Sequence, residues 1–332
     1  MFKRLFGAKK ANWKDSRVHL LFLSKFSKPT DPENICNQPY WFDFLPEPPD
    51  KVVNRFIKEE MLEEKVYSVE ERVMMFSVKD LKDILRGNGL KVSGRKQELI
   101  DRINEHDSSL LEASLPEFDH NNLTLAESGK EIVDSFQQKE TAEYEAFLDE
   151  LIALFQAKDT RNAYLLSKEF SEKRKLKEYN QTRPTLETIN SPEIWLKTLD
   201  IILNCEKIGI LHSIDNADFE KFRIAAGLSF LVGKKDLERY GIEDIETGLH
   251  FDNATASRMI MFYANRQFEL LRAKGNDIKR VVFHSVGGCP ICQELDGKTF
   301  NIDEAPEIPH KDCTGDKGCR CYYESIWEDL LS

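Results

Sequence analysis

The 332-residue sequence has no long apolar segment and very few cysteines outside one stretch. No apolar run reaches the roughly 18 residues of a membrane-spanning helix, and the longest, Ile224 to Val232, is interrupted by Gly227 and Ser229. Only Cys36 and Cys205, of seven cysteines, lie outside residues 289–321. Because no secretory signal is recognisable either, we expect a cytoplasmic protein with reduced thiols and no membrane contact.

Motifs of common enzyme classes are also missing. The sequence has no G-x-x-x-x-G-K-[ST] phosphate loop, no G-x-S-x-G nucleophile turn and no H-E-x-x-H zinc motif. A His-Asn-His nuclease would need further ligands between its cysteine pairs, but His310 is the only histidine between Cys292 and Cys313. We therefore expect no catalytic residues, and a metal-dependent nuclease is the less favoured alternative.

Acidic residues outnumber basic ones. The 58 Asp and Glu against 47 Lys and Arg give a net charge of −11 and a pI near 5.3. Residues 107–150 carry twelve of the acids and only two lysines, which we interpret as a solvated face or spacer. A contact with nucleic acid must therefore come from a local basic patch.

The cysteines concentrate near the C-terminal end with metal-ligand spacing. A C-x2-C pair is followed, after a longer loop, by H-x2-C-x5-C-x-C, and thiolates and imidazoles so spaced suit tetrahedral Zn²⁺. The candidate ligands are Cys289, Cys292, His310, Cys313, Cys319 and Cys321. The first three are the preferred ligands and the fourth is one of the last three, with Cys313 slightly favoured. A fully occupied site would be structural, and a disulfide cluster is the alternative.

A second informative stretch predicts two short helices. Ser77 is a natural N-cap with Asp80 three residues later, and Gly87 to Gly89 end the first helix. An extended turn at Leu90 to Val92 leads to a second helix that Ser93 is expected to cap. Residues 76–106 resemble the SAP motif, a helix-extended-helix module associated with DNA. The matching positions are Leu81, Ile84, Leu85, Gly89, Leu90, Ser93, Gly94, Lys96, Leu99, Ile100 and Ile103.

Charge favours a nucleic-acid face on this hairpin. Residues 77–106 carry seven Lys or Arg against five Asp or Glu. Backbone N–H groups from Gly94 onward could meet a phosphate and position the protein without reading base sequence. The candidate binding residues are Lys91, Ser93, Gly94, Arg95, Lys96 and Arg102. A solvated helix face and a protein-docking hairpin are the alternatives.

Local patterns elsewhere predict a mainly α protein. Prolines in residues 39–49 argue against a helix there, Lys51 to Leu62 reads as an amphipathic helix, and a capped helix is expected from Leu123. The expected regions are an aromatic and helical region 1–75, the hairpin 76–106, an acidic then helical middle region 107–250, and a small α+β zinc-stabilised module 251–332. The middle region is a possible site for protein partners.

The last eighty residues show a further resemblance. A helix with Arg258 and Arg266, a strand, the C-x2-C pair, Leu295 to Phe300, His310 and a Cys-Arg-Cys occur in that order. This order resembles the C-terminal module of the phage head morphogenesis family, which includes Mu F-like minor head proteins. The family resemblance implies a virion-associated role in head assembly. The insert Thr314 to Gly318 departs from the family pattern. The favoured hypothesis remains a non-enzymatic protein that binds DNA weakly and without sequence specificity.

Overall fold

The structure is a computed structural model. It describes residues 12–115, 122–174, 192–233, 240–287, 289–315 and 317–326. The first eleven residues of the predicted N-terminal region therefore lie outside the described residues. No helix in the described ranges is long and apolar enough to cross a membrane.

The fold is mainly helical, as predicted, with two small antiparallel sheets. The helices are α1 Arg17–Leu23, α2 Pro32–Cys36, α3 Pro39–Phe44, α4 Pro49–Lys58, α5 Val69–Met75, α6 Val78–Gly87, α7 Lys96–Asp107, α8 Ser109–Ala113, α9 Glu127–Gln156, α10 Thr160–Arg174, α11 Pro192–Asn204, α12 Asn216–Val232, α13 Asn253–Gly275 and α14 Pro290–Leu295. The strands are β1 Leu62–Glu64, β2 Leu123–Leu125, β3 Arg280–His284, β4 Thr299–Asn301 and β5 Tyr322–Ser325.

The chain divides into two compact units within α9, between Glu140 and Thr141. The first unit contains α1 to α8 and the β1–β2 pair, and the second contains α10 to α14 and the three-stranded sheet. Each unit has hydrophobic cores of its own.

Aromatic side chains fill one core of the first unit. Phe22, Trp41 and Phe56 are almost fully buried, and the Phe22 and Trp41 rings meet edge to face at 4.8 Å. The expectation that prolines exclude a helix at residues 39–49 is wrong, since Pro39 opens α3 and Pro49 opens α4. Proline is compatible with the first turn, where a backbone N–H has no helical partner anyway.

A strand replaces the helix start that was expected at Leu123. Leu123 pairs with Glu64 and Leu125 with Leu62, so β1 and β2 join segments about sixty residues apart, and α9 begins only at Glu127. Gly129 in the first turn of α9 lies against β1: a Cβ there would come within 2.1 Å of the Met61 carbonyl oxygen. Only glycine permits this approach.

The second unit is built around one continuous hydrophobic cluster. The cluster runs from Phe147 in α9 through α10 to α13 to Tyr323 in β5, and thus spans residue 250, where the sequence placed a boundary. Strand β3 lies in the middle of the sheet, antiparallel to β4 and β5. The helices and the sheet therefore share a single core.

Candidate nucleic-acid interface and metal centre

The hairpin of α6 and α7 encloses its own small core. Its buried side chains are Phe76, Leu81, Leu85, Leu99, Ile100, Ile103 and Leu111, which come from the two helices and their immediate flanks. Helices α5 and α8 pack against one another beside it. Residues 90–93 connect α6 and α7 without helix or strand structure. The two helices of the predicted motif are therefore present.

The start of α6 is capped as predicted. Asp80 N–H donates to Ser77 Oγ at 3.1 Å, and Ser77 N–H donates back to Asp80 Oδ2 at 3.0 Å. The Ser77 hydroxyl also donates to Asp80 Oδ2, at 2.6 Å, and this bond, followed by that from the Ser77 N–H, lowers the pKa of the Asp80 carboxyl. The reciprocal bonds satisfy N–H groups that a helix start leaves without partners.

The start of α7 differs from the prediction. The residue at the N-cap position is Arg95, not Ser93, and Glu98 Oε2 accepts the Arg95 N–H at 3.2 Å. Gly94 has a φ of +136°, and a Cβ there would lie 2.6 Å from Glu98 Oε2. Gly94 is therefore required for the backbone turn, and a phosphate at this helix end must compete with the Glu98 carboxylate.

Two predicted phosphate ligands are engaged within the hairpin. Arg102 donates to the backbone carbonyls of Lys91 at 2.6 Å and Ser93 at 3.1 Å, which fixes the connecting segment. Lys96 Nζ donates to the Met74 carbonyl at the end of α5. Because Lys91 and Arg95 are exposed, they are the better placed candidates for a phosphate contact.

All five clustered cysteines meet in the core of the second unit. Their thiols form two groups, Cys289, Cys292 and Cys313 in one and Cys292, Cys319 and Cys321 in the other, with the sulfurs of each group within 4.8 Å of one another. Cys292 belongs to both groups. Each of the five is buried, with at most 5% of its surface exposed, and none forms a disulfide.

The thiols perturb one another. Hydrogen bonding with the Cys319 sulfur lowers the pKa of Cys313 and that of Cys321. The same bonds raise the pKa of Cys319, and burial raises that of Cys292. Thiols whose pKa is lowered ionise more readily, and the thiolate is the form of cysteine that binds a soft cation.

Groups on the surrounding loops support these sulfurs. The Val286 backbone N–H and the Ser285 hydroxyl also lower the pKa of Cys321 by hydrogen bonding. The Gly315 N–H does the same for Cys313. Such outer bonds orient metal-bound thiolates and tune their charge.

Helix α13 holds the last cysteine loop in place. Cys319 N–H donates to the Met259 thioether sulfur at 3.2 Å, and Arg266 Nε donates to the Cys321 carbonyl at 3.0 Å. Gly318 has a φ of +76°, and a Cβ there would lie 2.5 Å from Met259 Cε. Sequence analysis missed Met259, because no local spacing connects α13 with residues sixty positions later.

His310 lies apart from both thiol groups. It belongs to neither cluster, and its Nδ1 accepts the backbone N–H of Asp312 at 3.2 Å. Cys313, which the sequence slightly favoured as the fourth ligand, is a member of one thiol group. The geometry therefore favours an all-cysteine donor set, and the assignment of His310 as a ligand remains a prediction.

Comparison with known families adds one finding. Residues 72–108 match the family model of the SAP domain. The match covers the hairpin and the end of α5. No curated protein and no solved structure matches the chain. The resemblance of residues 251–332 to head morphogenesis proteins has no support from these comparisons.

Proposed function

We propose that the protein binds DNA through the SAP hairpin and that a zinc ion stabilises its second unit. The SAP match over residues 72–108, on a hairpin with the expected fold, is the observation that carries the DNA proposal. Lys91 and Arg95 supply two of the phosphate contacts, which are few in all. Binding is therefore weak and does not depend on base sequence.

The donor set fits zinc. Five buried thiols face one another without a disulfide, and backbone N–H groups already point at two of them. Cys292 and three of its four neighbours would hold the ion, which leaves one thiol outside the first coordination shell. Zinc in such a site supplies cross-linking rather than catalysis, because four thiolates leave no open position for water.

Two other functions are less favoured. A minor head protein role rests on the resemblance of residues 251–332 alone. A nuclease would need an imidazole base at the metal, and His310 lies outside both thiol groups. We propose no catalytic role for either region.

DNA binding is tested by fluorescence anisotropy with a labelled duplex over a range of salt concentrations. The unaltered protein is expected to bind weakly, with a log–log salt slope near −3 for about three or four phosphates. Lys91→Ala/Arg95→Ala removes two of these contacts, so we expect the slope to fall by about 1.8 and affinity to drop about tenfold or more.

The matched control is Lys51→Ala/Lys58→Ala, which removes the same charge from exposed positions of α4. It should leave binding nearly unchanged. Equal losses in both variants would show that net charge alone drives binding. Undiminished binding by Lys91→Ala/Arg95→Ala would exclude the hairpin as the contact surface.

The ligand set is tested by metal analysis and by cobalt substitution. We expect about one zinc per chain, and an unchanged zinc content in His310→Gln, because that ring lies outside the thiol groups. Cobalt bound by four thiolates gives a stronger sulfur charge-transfer band than cobalt bound by three. Loss of zinc in His310→Gln would establish His310 as a ligand, and loss in Cys313→Ser as well would establish the ligand set first expected from the sequence.

A further inference from the structure

A groove in the second unit is unrelated to the cysteine centre. It has a volume of about 1140 Å³ and is walled by α10, α11 and α13. Its lining runs from Thr160 to Lys168 on α10 and from Pro192 to Ile201 on α11. At 1.5 Å per residue these walls are about 12 to 14 Å long, which matches two to three turns of a helix.

Each of the three walls contributes apolar side chains to the groove. Leu165 of α10 is 49% exposed and Leu271 of α13 is 53% exposed. Leu196, Ile201 and Phe268 also belong to the lining. Large apolar side chains that remain exposed around a groove are typical of an interaction surface.

A residue of the same groove carries a polar atom without a partner. Tyr164 is 4% exposed and belongs to the α10 wall, and its hydroxyl has no hydrogen-bond partner in the described part of the chain. A buried hydroxyl without a partner is costly. Because the oxygen is itself buried, an acceptor on a bound molecule would reach it only if the ring moved.

Basic residues outnumber acidic ones in the lining, although the chain is acidic: Arg161, Lys168, Lys197 and Arg272 stand against Glu193 and Asp200. Lys197 and Lys168 pair with acids of their own helices, at 2.7 Å with Glu193 and 3.9 Å with Glu172. Arg161 on α10 and Arg272 on α13 are exposed, and among the described residues neither forms an ion pair. The occupant that complements these walls is therefore apolar on one face and acidic at its edges.

We propose that this groove binds an acidic amphipathic helix of a partner protein. Apolar side chains at i, i+4 and i+7 of that helix would contact the leucines and Phe268, and flanking carboxylates would pair with Arg161 and Arg272. Charge complementarity of this kind sets partner choice and association rate. The proposal is independent of DNA binding and of the zinc ligand set.

The test uses a fluorescein-labelled helical peptide of about 14 residues, with leucines at i, i+4 and i+7 and glutamates beside them. Anisotropy should show saturable binding that weakens with salt. Arg161→Glu/Arg272→Glu should weaken it at least tenfold and should bind the lysine version of the peptide instead. Leu165→Ser/Leu271→Ser should also weaken it, with zinc content as the check on folding.

The control is Lys51→Glu/Lys58→Glu, an equal charge change in the first unit, which should bind the acidic peptide as the unaltered protein does. Several outcomes overturn the proposal. They are no saturable binding below about 1 mM, equal binding of the acidic and basic peptides, or no effect of the arginine changes. A dimer that the same changes dissociate would identify a second copy as the occupant, which also overturns it.

Discussion

The SAP hairpin and the cysteine centre reach their structures in opposite ways. The hairpin uses one continuous segment, local caps and seven buried side chains of its own. The cysteine centre combines α14, which contains Cys292, with loops, and its thiols belong to a hydrophobic cluster that extends back to α9. The first can form from its own residues, whereas the second requires the helices and the sheet to be assembled around it.

The largest expected effect comes from Cys292→Ser. Cys292 belongs to both thiol groups and is fully buried, so its loss should release zinc and destabilise the whole second unit by more than about 5 kcal/mol, given apparent zinc-binding energies of about 10–16 kcal/mol in small zinc domains. Metal analysis and hydrogen exchange measure both effects. The hairpin amides should keep their protection.

The matched control for this change is Cys205→Ser, a buried cysteine of the same hydrophobic cluster that belongs to neither thiol group. It should keep full zinc. If Cys292→Ser leaves amide protection in α11 to α13 intact, the thiol cluster does not stabilise the helical core, and the contrast between the two regions fails.

A smaller and more local effect is expected from Leu85→Ala. Leu85 is fully buried in the hairpin core, and truncation of such a leucine costs about 2–5 kcal/mol. A core of this size has little stability to spare. Hydrogen exchange should show the hairpin unfolded, with zinc content and protection of the second unit unchanged.

Val78→Ala, at a position of α6 that is 41% exposed, is the control and should cost little. If Leu85→Ala also lowers amide protection in the second unit, the hairpin does not fold independently. The contrast between the two regions would then be wrong.

The smallest effect concerns pH. The Asp80 carboxyl has its pKa lowered from 3.8 by the Ser77 hydroxyl and backbone N–H, so the ionised form stabilises the folded hairpin above pH 3.8. This contribution is lost as pH falls through the folded pKa. Asn does not titrate, so Asp80→Asn should lose less α6 amide protection than the unaltered protein when the pH is lowered below 4. An identical pH profile in the variant would contradict the role of this cap.

Local signals predicted the hairpin well. Ser77 with Asp80 identified the start of α6, and the apolar spacing of Leu81 and Leu85 identified its buried face. The second cap was misplaced by two residues, because Gly94 and the Glu98 carboxylate fix the α7 start at Arg95 rather than Ser93. The spacing of residue types along the sequence does not show which side chain will accept a backbone N–H across a turn.

Long-range contacts explain the remaining differences. Strand β2 was not predicted because its pairing partner, β1, lies about sixty residues earlier. Spacing correctly grouped the cysteines, but it could not choose between His310 and the thiols, since the loop from Cys313 to Cys321 returns to Cys292 only in the folded chain. Met259 and Arg266, which hold that loop, lie on a different element.

The position of the thiols along the chain has a consequence for biosynthesis. Helices α10 to α13 all emerge from the ribosome before Cys289, and Cys321 is the last of the five to appear. When these helices emerge, the strands and cysteines that complete their hydrophobic core have not yet been synthesised. Because domains fold as their residues are synthesised, we expect the hairpin to fold during translation. The second unit, by contrast, is expected to close late, and with the proposed zinc site its yield should depend on the zinc supply.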